Sequence, residues 1–183
     1  MNFGFDFDKV FINYPPLVPD AFMDLLYKKK SNGELLYRIP SRPEQVLRTA
    51  SHHPILRRPI MENMQYIKSI ANNKEHKYYV ISSRFGFLKK RTEDLIQKHE
   101  LDSLFHGLFF NYTNEQPHIF KEKTIKRLRI HRYVDDDLRL LEYLLSQNKK
   151  TIFFWLNRKH NGLLKKNLFG ITQLHSFIHH DNA

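Results

Sequence analysis

The chain has 183 residues and a mass of 22.1 kDa, and 41% of its residues are hydrophobic, so it can bury one sizeable core. Its 30 Lys and Arg against 19 Asp and Glu give a formal net charge of +11, which favours phosphate-bearing or other anionic partners. The absence of cysteine excludes disulfides, thiolate nucleophiles and cysteine-containing zinc sites. No apolar stretch approaches the ~18 residues of a membrane span and no secretory leader is visible, so we expect a cytoplasmic protein.

Short apolar runs predict the strands of a sheet, and helical periodicity fills the intervals between them. The predicted strands cover residues 3–7, 78–81, 108–110, 130–134 and 152–156. Helices are predicted where apolar residues share one face, at residues 60–70, 88–96 and 138–145. Strands that alternate with helices predict an α/β fold: a three-layer, Rossmann-like, mostly parallel sheet that binds ligands at the carboxyl ends of its strands.

A proline-rich stretch interrupts this alternation after the first strand. It spans residues 14–58 and contains two predicted short helices, near residues 20–30 and 43–50. We therefore expect an α/β core of residues 1–13 and 59–160, with residues 14–58 inserted as a small helical cap. Residues 161–183 form a C-terminal extension to which the sequence assigns no structure, and its end after Leu174 is expected to be frayed.

Acidic residues follow two of the predicted strands. Asp6 and Asp8 lie two apart at the end of the first strand and point to the same side, which favours a hard metal ion or a shared proton between them. Asp135, Asp136 and Asp137 follow the fourth strand, where burial of three carboxylates is costly unless a cation compensates. Asp136 or Asp137 can cap the next helix, but a cap needs only one carboxylate.

Phosphate-binding groups are found at two further places. Ser82, Ser83 and Arg84 end the second strand with hydroxyls and a guanidinium, which suit a phosphate oxygen. The alternative for either serine is that it caps the following helix. Lys121 lies about fourteen residues before Asp135 in a predicted helix, where a lysine taken alone is simply solvated.

Together these motifs resemble those of the haloacid dehalogenase-like (HAD) superfamily. Phe5-Asp6-Phe7-Asp8-Lys9-Val10 is similar to its Asp-x-Asp-x-Thr/Val motif, and Ile81-Ser82 to its second motif. Lys121 and Val134-Asp135-Asp136 resemble its third and fourth motifs. The match spans residues 3 to about 145, and the insertion at 14–58 occupies the place where members carry a small cap. Lys9 departs from the pattern, since the superfamily often has Gly there, which leaves the shape of the substrate entrance open.

The resemblance implies a phosphatase that hydrolyses a phosphomonoester. It implies that Asp6 attacks phosphorus and forms an aspartyl-phosphate. Asp8 would protonate the leaving oxygen and then activate the water that hydrolyses the intermediate. Ser82 and Lys121 would bind the phosphoryl group during its transfer.

The resemblance also implies a Mg²⁺ cofactor and an anionic substrate. The ion would be held by Asp6, Asp135, Asp136 and the backbone carbonyl of Asp8. The substrate is predicted to be a nucleotide, a phosphorylated nucleic-acid end or another phosphometabolite, and phosphosugars stay open. The residues expected to contact it are Ser82, Ser83, Arg84 and Lys9, with a group of basic residues nearby in sequence: Arg38, Arg42, His52, His53, Arg57 and Arg58.

A second function class is a non-catalytic, basic nucleic-acid-binding module on a HAD-like scaffold. The pI of about 9.8 and the abundant Tyr and Phe favour it, because aromatic rings can stack on bases. Most of these rings, however, lie inside the predicted strands, where they form a core. The sequence does not identify the physiological substrate or the oligomeric state.

Overall fold

The structure is a computed structural model that describes residues 1–14, 35–73 and 75–179. Its strands, in chain order, are β1 (Asn2–Phe5), β2 (Lys77–Ser82), β3 (Gly107–Phe110), β4 (Arg132–Asp135), β5 (Ile152–Leu156), β6 (Gly162–Lys165) and β7 (Leu168–Ile171). They form one sheet of order β3-β2-β1-β4-β5-β7-β6, in which only β6 is antiparallel to its neighbour. The predicted α/β fold with a mostly parallel sheet is confirmed, and each predicted strand is present with its ends shifted by at most two residues.

Helices separate the strands and cover the sheet. They are α1 (Arg42–Ser51), α2 (Met61–Ile70), α3 (Lys89–Lys98), α4 (Pro117–Arg127), α5 (Leu138–Gln147) and α6 (Ser176–His179), with 3-10 turns at Gly86–Leu88 and Leu101–Ser103. The helix α1 occurs where the second cap helix was predicted, whereas the one near residues 20–30 lies outside the described residues. The division into core and cap stays a prediction. Among the described helices, none is long and apolar enough to cross a bilayer.

The central strand β1 is fixed from both faces of the sheet. Phe3 and Phe5 are buried in the hydrophobic cluster on one face. Gly4 faces the other side, where a Cβ atom would lie 2.8 Å from a ring carbon of Tyr133. The Tyr133 hydroxyl donates to the carbonyl of Ile81 at 3.0 Å and ties β4 to β2 across β1. This packing holds the carboxyl end of β1, and the acidic residues after it, at the middle of the sheet edge.

The C-terminal region is more ordered than the sequence indicated. Residues to which no structure was assigned form β6 and β7, and β7 pairs in parallel with β5. Leu174 and Phe177 are 1% and 0% exposed. The Phe177 ring lies edge-on to Phe3 and Phe5, with ring centroids 5.4 and 5.1 Å apart. The expectation of a frayed chain after Leu174 is therefore wrong for the described residues, because burial of this aromatic ring anchors the segment.

We predict that Phe177→Ala lowers the free energy of unfolding by about 3–5 kcal/mol, because it leaves a cavity among aromatic rings. Urea denaturation measures the loss. Leu163→Ala is the control, since Leu163 is 67% exposed and its truncation should cost less than about 0.5 kcal/mol. A loss below about 1 kcal/mol for Phe177→Ala would contradict the packing of the C-terminal segment.

Candidate active site

Polar side chains from three adjacent strands meet at the carboxyl edge of the sheet. Ser82 and Asp135 are the last residues of β2 and β4, and Asp6 follows β1 between them. The Asp6 N–H donates to the carbonyl of Val134 at 2.8 Å, which extends the ladder by one step and fixes the position of Asp6. The three residues line a cavity of about 330 Å³. The parallel sheet thus gathers these groups from distant parts of the sequence.

Lys121 from α4 joins two of the carboxylates. Its Nζ lies 2.8 Å from Asp6 Oδ1 and 2.7 Å from Asp135 Oδ2, and all three residues are buried. Burial opposes the lysine charge, but the carboxylates of Asp135 and Asp6 outweigh it and raise the pKa of Lys121 well above its usual value. Burial raises the pKa of Asp6 to about 7; Lys121 opposes this shift and Asp135 adds to it. The lysine is therefore charged, and Asp6 holds its negative charge at a cost.

A third carboxylate completes a cluster with the composition of a hard-metal site. One oxygen each from Asp6, Asp135 and Asp136 lie within 4.8 Å of one another. Burial and the neighbouring Asp135 raise the pKa of Asp136, although Lys9 Nζ lies 3.3 Å from its Oδ2. Within the described residues, three carboxylates face two ammonium groups, Lys121 and Lys9, so the cluster has a formal negative charge when all three are ionised. These oxygen ligands fit a divalent cation such as Mg²⁺.

Asp137 does not belong to this cluster, because it caps the following helix. Its carboxylate accepts hydrogen bonds from the N–H groups of Arg139 and Leu140 at the start of α5. Tyr37 donates its hydroxyl to the same carboxylate at 3.2 Å, which brings the segment before α1 to the cavity. The acidic run therefore divides into one helix cap and two carboxylates for the cluster.

Asp8 faces a separate group of cations. Arg84 binds its carboxylate through two hydrogen bonds of 2.8 and 2.7 Å, and Arg57 Nη1 lies 3.3 Å from Oδ1. Burial alone would raise the pKa of Asp8. The positive charges of Arg84 and Arg57 have the larger effect and hold this pKa well below its usual value. Nη2 of Arg57 contacts Nε2 of His52. Burial and the two neighbouring arginines hold the pKa of His52 well below its usual value. Asp8 is thus a carboxylate with both oxygens occupied, next to a neutral histidine.

Lys9 has a backbone conformation that a glycine would adopt at lower cost. Lys9 has a φ of 57°, in the left-handed region that favours glycine. Its ammonium lies 4.7 Å from the centre of the Tyr14 ring and, as described above, next to Asp136. The residue therefore retains the backbone conformation expected for Gly while it adds a cation at the rim of the cavity.

The motif residues predicted from the sequence line the same cavity: Asp6, Asp8, Lys9, Ser82, Ser83, Arg84, Lys121, Asp135 and Asp136. Of the basic residues expected near the substrate, His52 also lines it, whereas Arg38, Arg42, His53 and Arg58 do not. The alternative that a serine caps the following helix is wrong, because the N-cap residues there are Phe85 and Leu88. The Ser83 hydroxyl is buried and has no hydrogen-bond partner among the described residues. The Asp8 side chain lies with the arginines and outside the carboxylate cluster, which leaves only its backbone carbonyl for a metal.

Four contributors to the site were not predicted in the roles they have. Arg57 and His52 were expected only as cations near the substrate, yet they are 1% and 2% exposed and form the surroundings of Asp8. Tyr37 and Trp155 carry no motif; the Trp155 indole N–H donates to the carbonyl of Asp136 at 2.9 Å and holds the loop after β4. Arg57 meets Asp8 across 49 positions of sequence, a pairing that no local pattern reveals.

No protein-family model matches the chain, and no curated protein matches its sequence. Among solved structures, the chain is similar to a HAD-superfamily hydrolase from Ehrlichia chaffeensis, with a TM-score of 0.55 and 9% identity over 95% of this chain and 92% of the other. The Legionella pneumophila effector Ceg4, solved with an N-terminal yeast Hog1p sequence, aligns with a TM-score of 0.42 and 12% identity over 94% and 86% of the two chains. The first likeness shows that this fold is shared with a HAD-superfamily hydrolase, and the second carries no argument.

We predict that Asp136→Asn weakens Mg²⁺ binding more than it affects folding. Without metal the variant should be at least as stable as the wild type, since it loses one charge from a crowded cluster. With Mg²⁺ its melting temperature should rise less than that of the wild type. Thermal denaturation with and without Mg²⁺ measures both effects, and Asp102→Asn, at an exposed acid away from the cluster, is the control. An equal Mg²⁺-dependent rise in Asp136→Asn and wild type would contradict the site.

Proposed function

We propose that the chain is a magnesium-dependent phosphomonoesterase that works through an aspartyl-phosphate on Asp6. The observation that carries this proposal is the meeting of Asp6, Asp135, Asp136 and Lys121 at one edge of the sheet. A cluster of ionised groups with so little contact with water costs folding energy, and such clusters with shifted pKa values are typical of catalytic sites. The fold shared with a HAD-superfamily hydrolase supports hydrolysis as the class of reaction.

The carboxylate cluster supplies the ligands for the proposed cofactor. Asp6, Asp135 and Asp136, with the backbone carbonyl of Asp8, would hold Mg²⁺, which when bound supplies positive charge to offset the phosphoryl oxygens. Lys121 contributes a second positive charge that the protein itself provides. Burial raises the pKa of Asp6 to about 7, so as the pH falls below that value a growing fraction of Asp6 is protonated and can neither attack nor bind a cation.

The proposed reaction has two steps. In the first, an oxygen of Asp6 bonds to phosphorus while the bond to the leaving oxygen breaks, and Ser82 and Lys121 bind the phosphoryl oxygens. The leaving oxygen departs as an anion when it is stable, and otherwise takes a proton from the acid form of Asp8. In the second, Asp8 takes a proton from water, the water oxygen bonds to phosphorus, and the bond from Asp6 to phosphorus breaks to release phosphate.

The contacts of Asp8 suit the second step better than the first. Arg84 and Arg57 keep its carboxylate ionised, which a base requires, whereas protonation of a leaving group requires the acid form. Substrates whose leaving oxygen departs as a stable anion need no such proton. We therefore expect the enzyme to hydrolyse phosphates with good leaving groups faster than those with poor ones.

The proposed substrate is a nucleotide or another anionic phosphometabolite. The formal charge of +11 supports an anionic partner, and aromatic rings of Tyr14, Tyr37 and Trp155 line the cavity beside its charged groups. A screen of phosphorylated metabolites with Mg²⁺ would identify it. The non-catalytic module is not favoured, because binding alone gives no reason to bury Asp6, Lys121 and Asp135 together.

The distinct roles of Asp6 and Asp8 can be separated by substitution. Asp6→Asn should reduce hydrolysis of an aryl phosphate to background, because the attacking carboxylate is gone. Asp8→Asn should reduce it by about 10²- to 10⁴-fold, with a smaller loss for good leaving groups. Steady-state kinetics on an aryl and an alkyl phosphate test this, with circular dichroism to verify folding, since Asp8→Asn leaves two arginines without a counter-charge. Equal losses in both variants on both substrates would contradict the assigned roles.

Arg57 provides a test of how residues 14–58 act on the site. Arg57→Met removes one cation from Asp8 and raises the pKa of that carboxyl, so alkyl phosphate turnover should increase relative to aryl phosphate turnover, by up to about tenfold per pKa unit. Arg58→Met is a matched control, because Arg58 is the exposed neighbour. The ratio of kcat/KM values for the two substrates measures the effect. An unchanged ratio in Arg57→Met would show that Arg57 does not tune Asp8.

A further inference from the structure

Residues 143–179, near the C-terminal end, carry positive charge without an acidic residue among them. They do contain six Lys and Arg, which we call the basic edge: Lys149, Lys150, Arg158, Lys159, Lys165 and Lys166. These six cations equal more than half of the formal net charge of +11 and lie in one part of the sequence.

The cations of the basic edge are free to meet a partner. All six side chains belong to exposed residues. Lys165 pairs with Glu142 at 2.5 Å, and within the described residues the other five have no carboxylate partner. This contrasts with the arginines of the catalytic cavity, which are buried and bound to Asp8.

The fold arranges these cations along one side of the sheet. Lys149 and Lys150 precede β5, and the Asn167 amide donates to the carbonyl of Lys149 at 3.0 Å, which places the β6–β7 turn with Lys166 beside them. Arg158 and Lys159 follow the other end of β5. Between the two groups runs the outermost strand β6, with 4 residues, or ~13 Å at 3.3 Å per residue.

One end of the basic edge leads to the catalytic cavity. Arg158 and Lys159 line a second cavity of about 600 Å³ at the carboxyl end of the sheet. Lys9, Tyr14 and Asp136 line both this cavity and the catalytic one, so the two adjoin. As far as the described residues define these cavities, a chain that lies along β6 can pass through the second cavity and place its end at Asp6.

An aromatic platform lies at the same junction. The exposed His160 stacks on Trp155 with ring centroids 5.3 Å apart and an angle of 24° between the rings. Trp155 itself lines the catalytic cavity. Cations that follow a backbone, with aromatic rings beside them, are the combination that single-stranded nucleic acids bind.

Two other occupants fit the basic edge less well. Leu163 and Leu164 are 67% and 40% exposed, but two leucines flanked by Lys165 and Lys166 form too small an apolar patch for a lipid surface. Pairing of β6 with a second copy would bring equal charges together, and lysines on an edge strand oppose such pairing.

We propose that the basic edge binds a single-stranded nucleic acid and delivers its phosphorylated end to the catalytic cavity. The argument for nucleic-acid binding depends on the charge and arrangement of β6 and its flanking turns. Delivery of the phosphorylated end to Asp6 additionally depends on the proposed phosphatase function. This proposal narrows the substrate class to phosphorylated ends of oligonucleotides.

The binding can be tested separately from hydrolysis. Fluorescence anisotropy with a labelled single-stranded oligonucleotide that has no terminal phosphate, over a range of salt concentrations, gives the affinity and its salt dependence. The test variant is Arg158→Ala/Lys159→Ala/Lys166→Ala. The matched control is Lys68→Ala/Lys77→Ala/Lys98→Ala, which removes the same charge from exposed lysines near the opposite side of the sheet.

We expect the test variant to bind the oligonucleotide at least about tenfold more weakly than the wild type. The plot of log K against log salt concentration should become less steep by about 2, because each of the three lost phosphate contacts contributes ~0.7 to the slope. The control should bind like the wild type, and both variants should hydrolyse an aryl phosphate like the wild type. Equal weakening in test and control variants would overturn the proposal, as would binding to vesicles of anionic lipid but not to the oligonucleotide. Intact binding without any aryl phosphate hydrolysis would instead reject the phosphatase function and leave the binding surface in place.

Discussion

The buried ammonium of Lys121 between Asp6 and Asp135 is the interaction on which the site depends. It requires β1 and β4 to be neighbours, with their carboxyl ends level, and α4 to pack so that one lysine reaches both. Without this cation, two carboxylates withdrawn from water would repel each other. With it, the cluster combines carboxylate oxygens that suit the proposed divalent ion with a positive charge that suits the proposed phosphoryl transfer.

The two acids of the first motif lie in opposite electrostatic surroundings. Burial and Asp135 raise the pKa of Asp6, whereas Arg84 and Arg57 lower that of Asp8. Titratable groups whose pKa values are driven apart in this way take different roles in catalysis. The separation here arises because one acid faces the carboxylates after β4 and the other faces the arginine after β2. The proposed division between nucleophile and proton-transfer group follows from this geometry.

The sequence predicted those features that depend on strand ends. Asp6, Ser82 and Asp135 end or follow neighbouring parallel strands, so their convergence follows once the strands are recognised. Arg57 and Tyr37 could not be placed, because their contacts cross long stretches of sequence and leave no periodic trace. The strand β6 was missed for a different reason: its residues are mostly exposed and show no apolar alternation, so only the pairing with β7 defines it. Phe177 was missed because a single buried aromatic ring anchors a segment that is otherwise polar.

The most direct test of the central claim is to look for the covalent intermediate. The Asp8→Asn variant, mixed with an aryl phosphate and Mg²⁺ and quenched in acid, should accumulate the intermediate because the water has lost its base. Peptide mass spectrometry should then find one phosphoryl group on the peptide that contains Asp6, and fragmentation should assign it to that residue. No phosphorylated peptide during active turnover, or a phosphoryl group on a different side chain, would contradict the account.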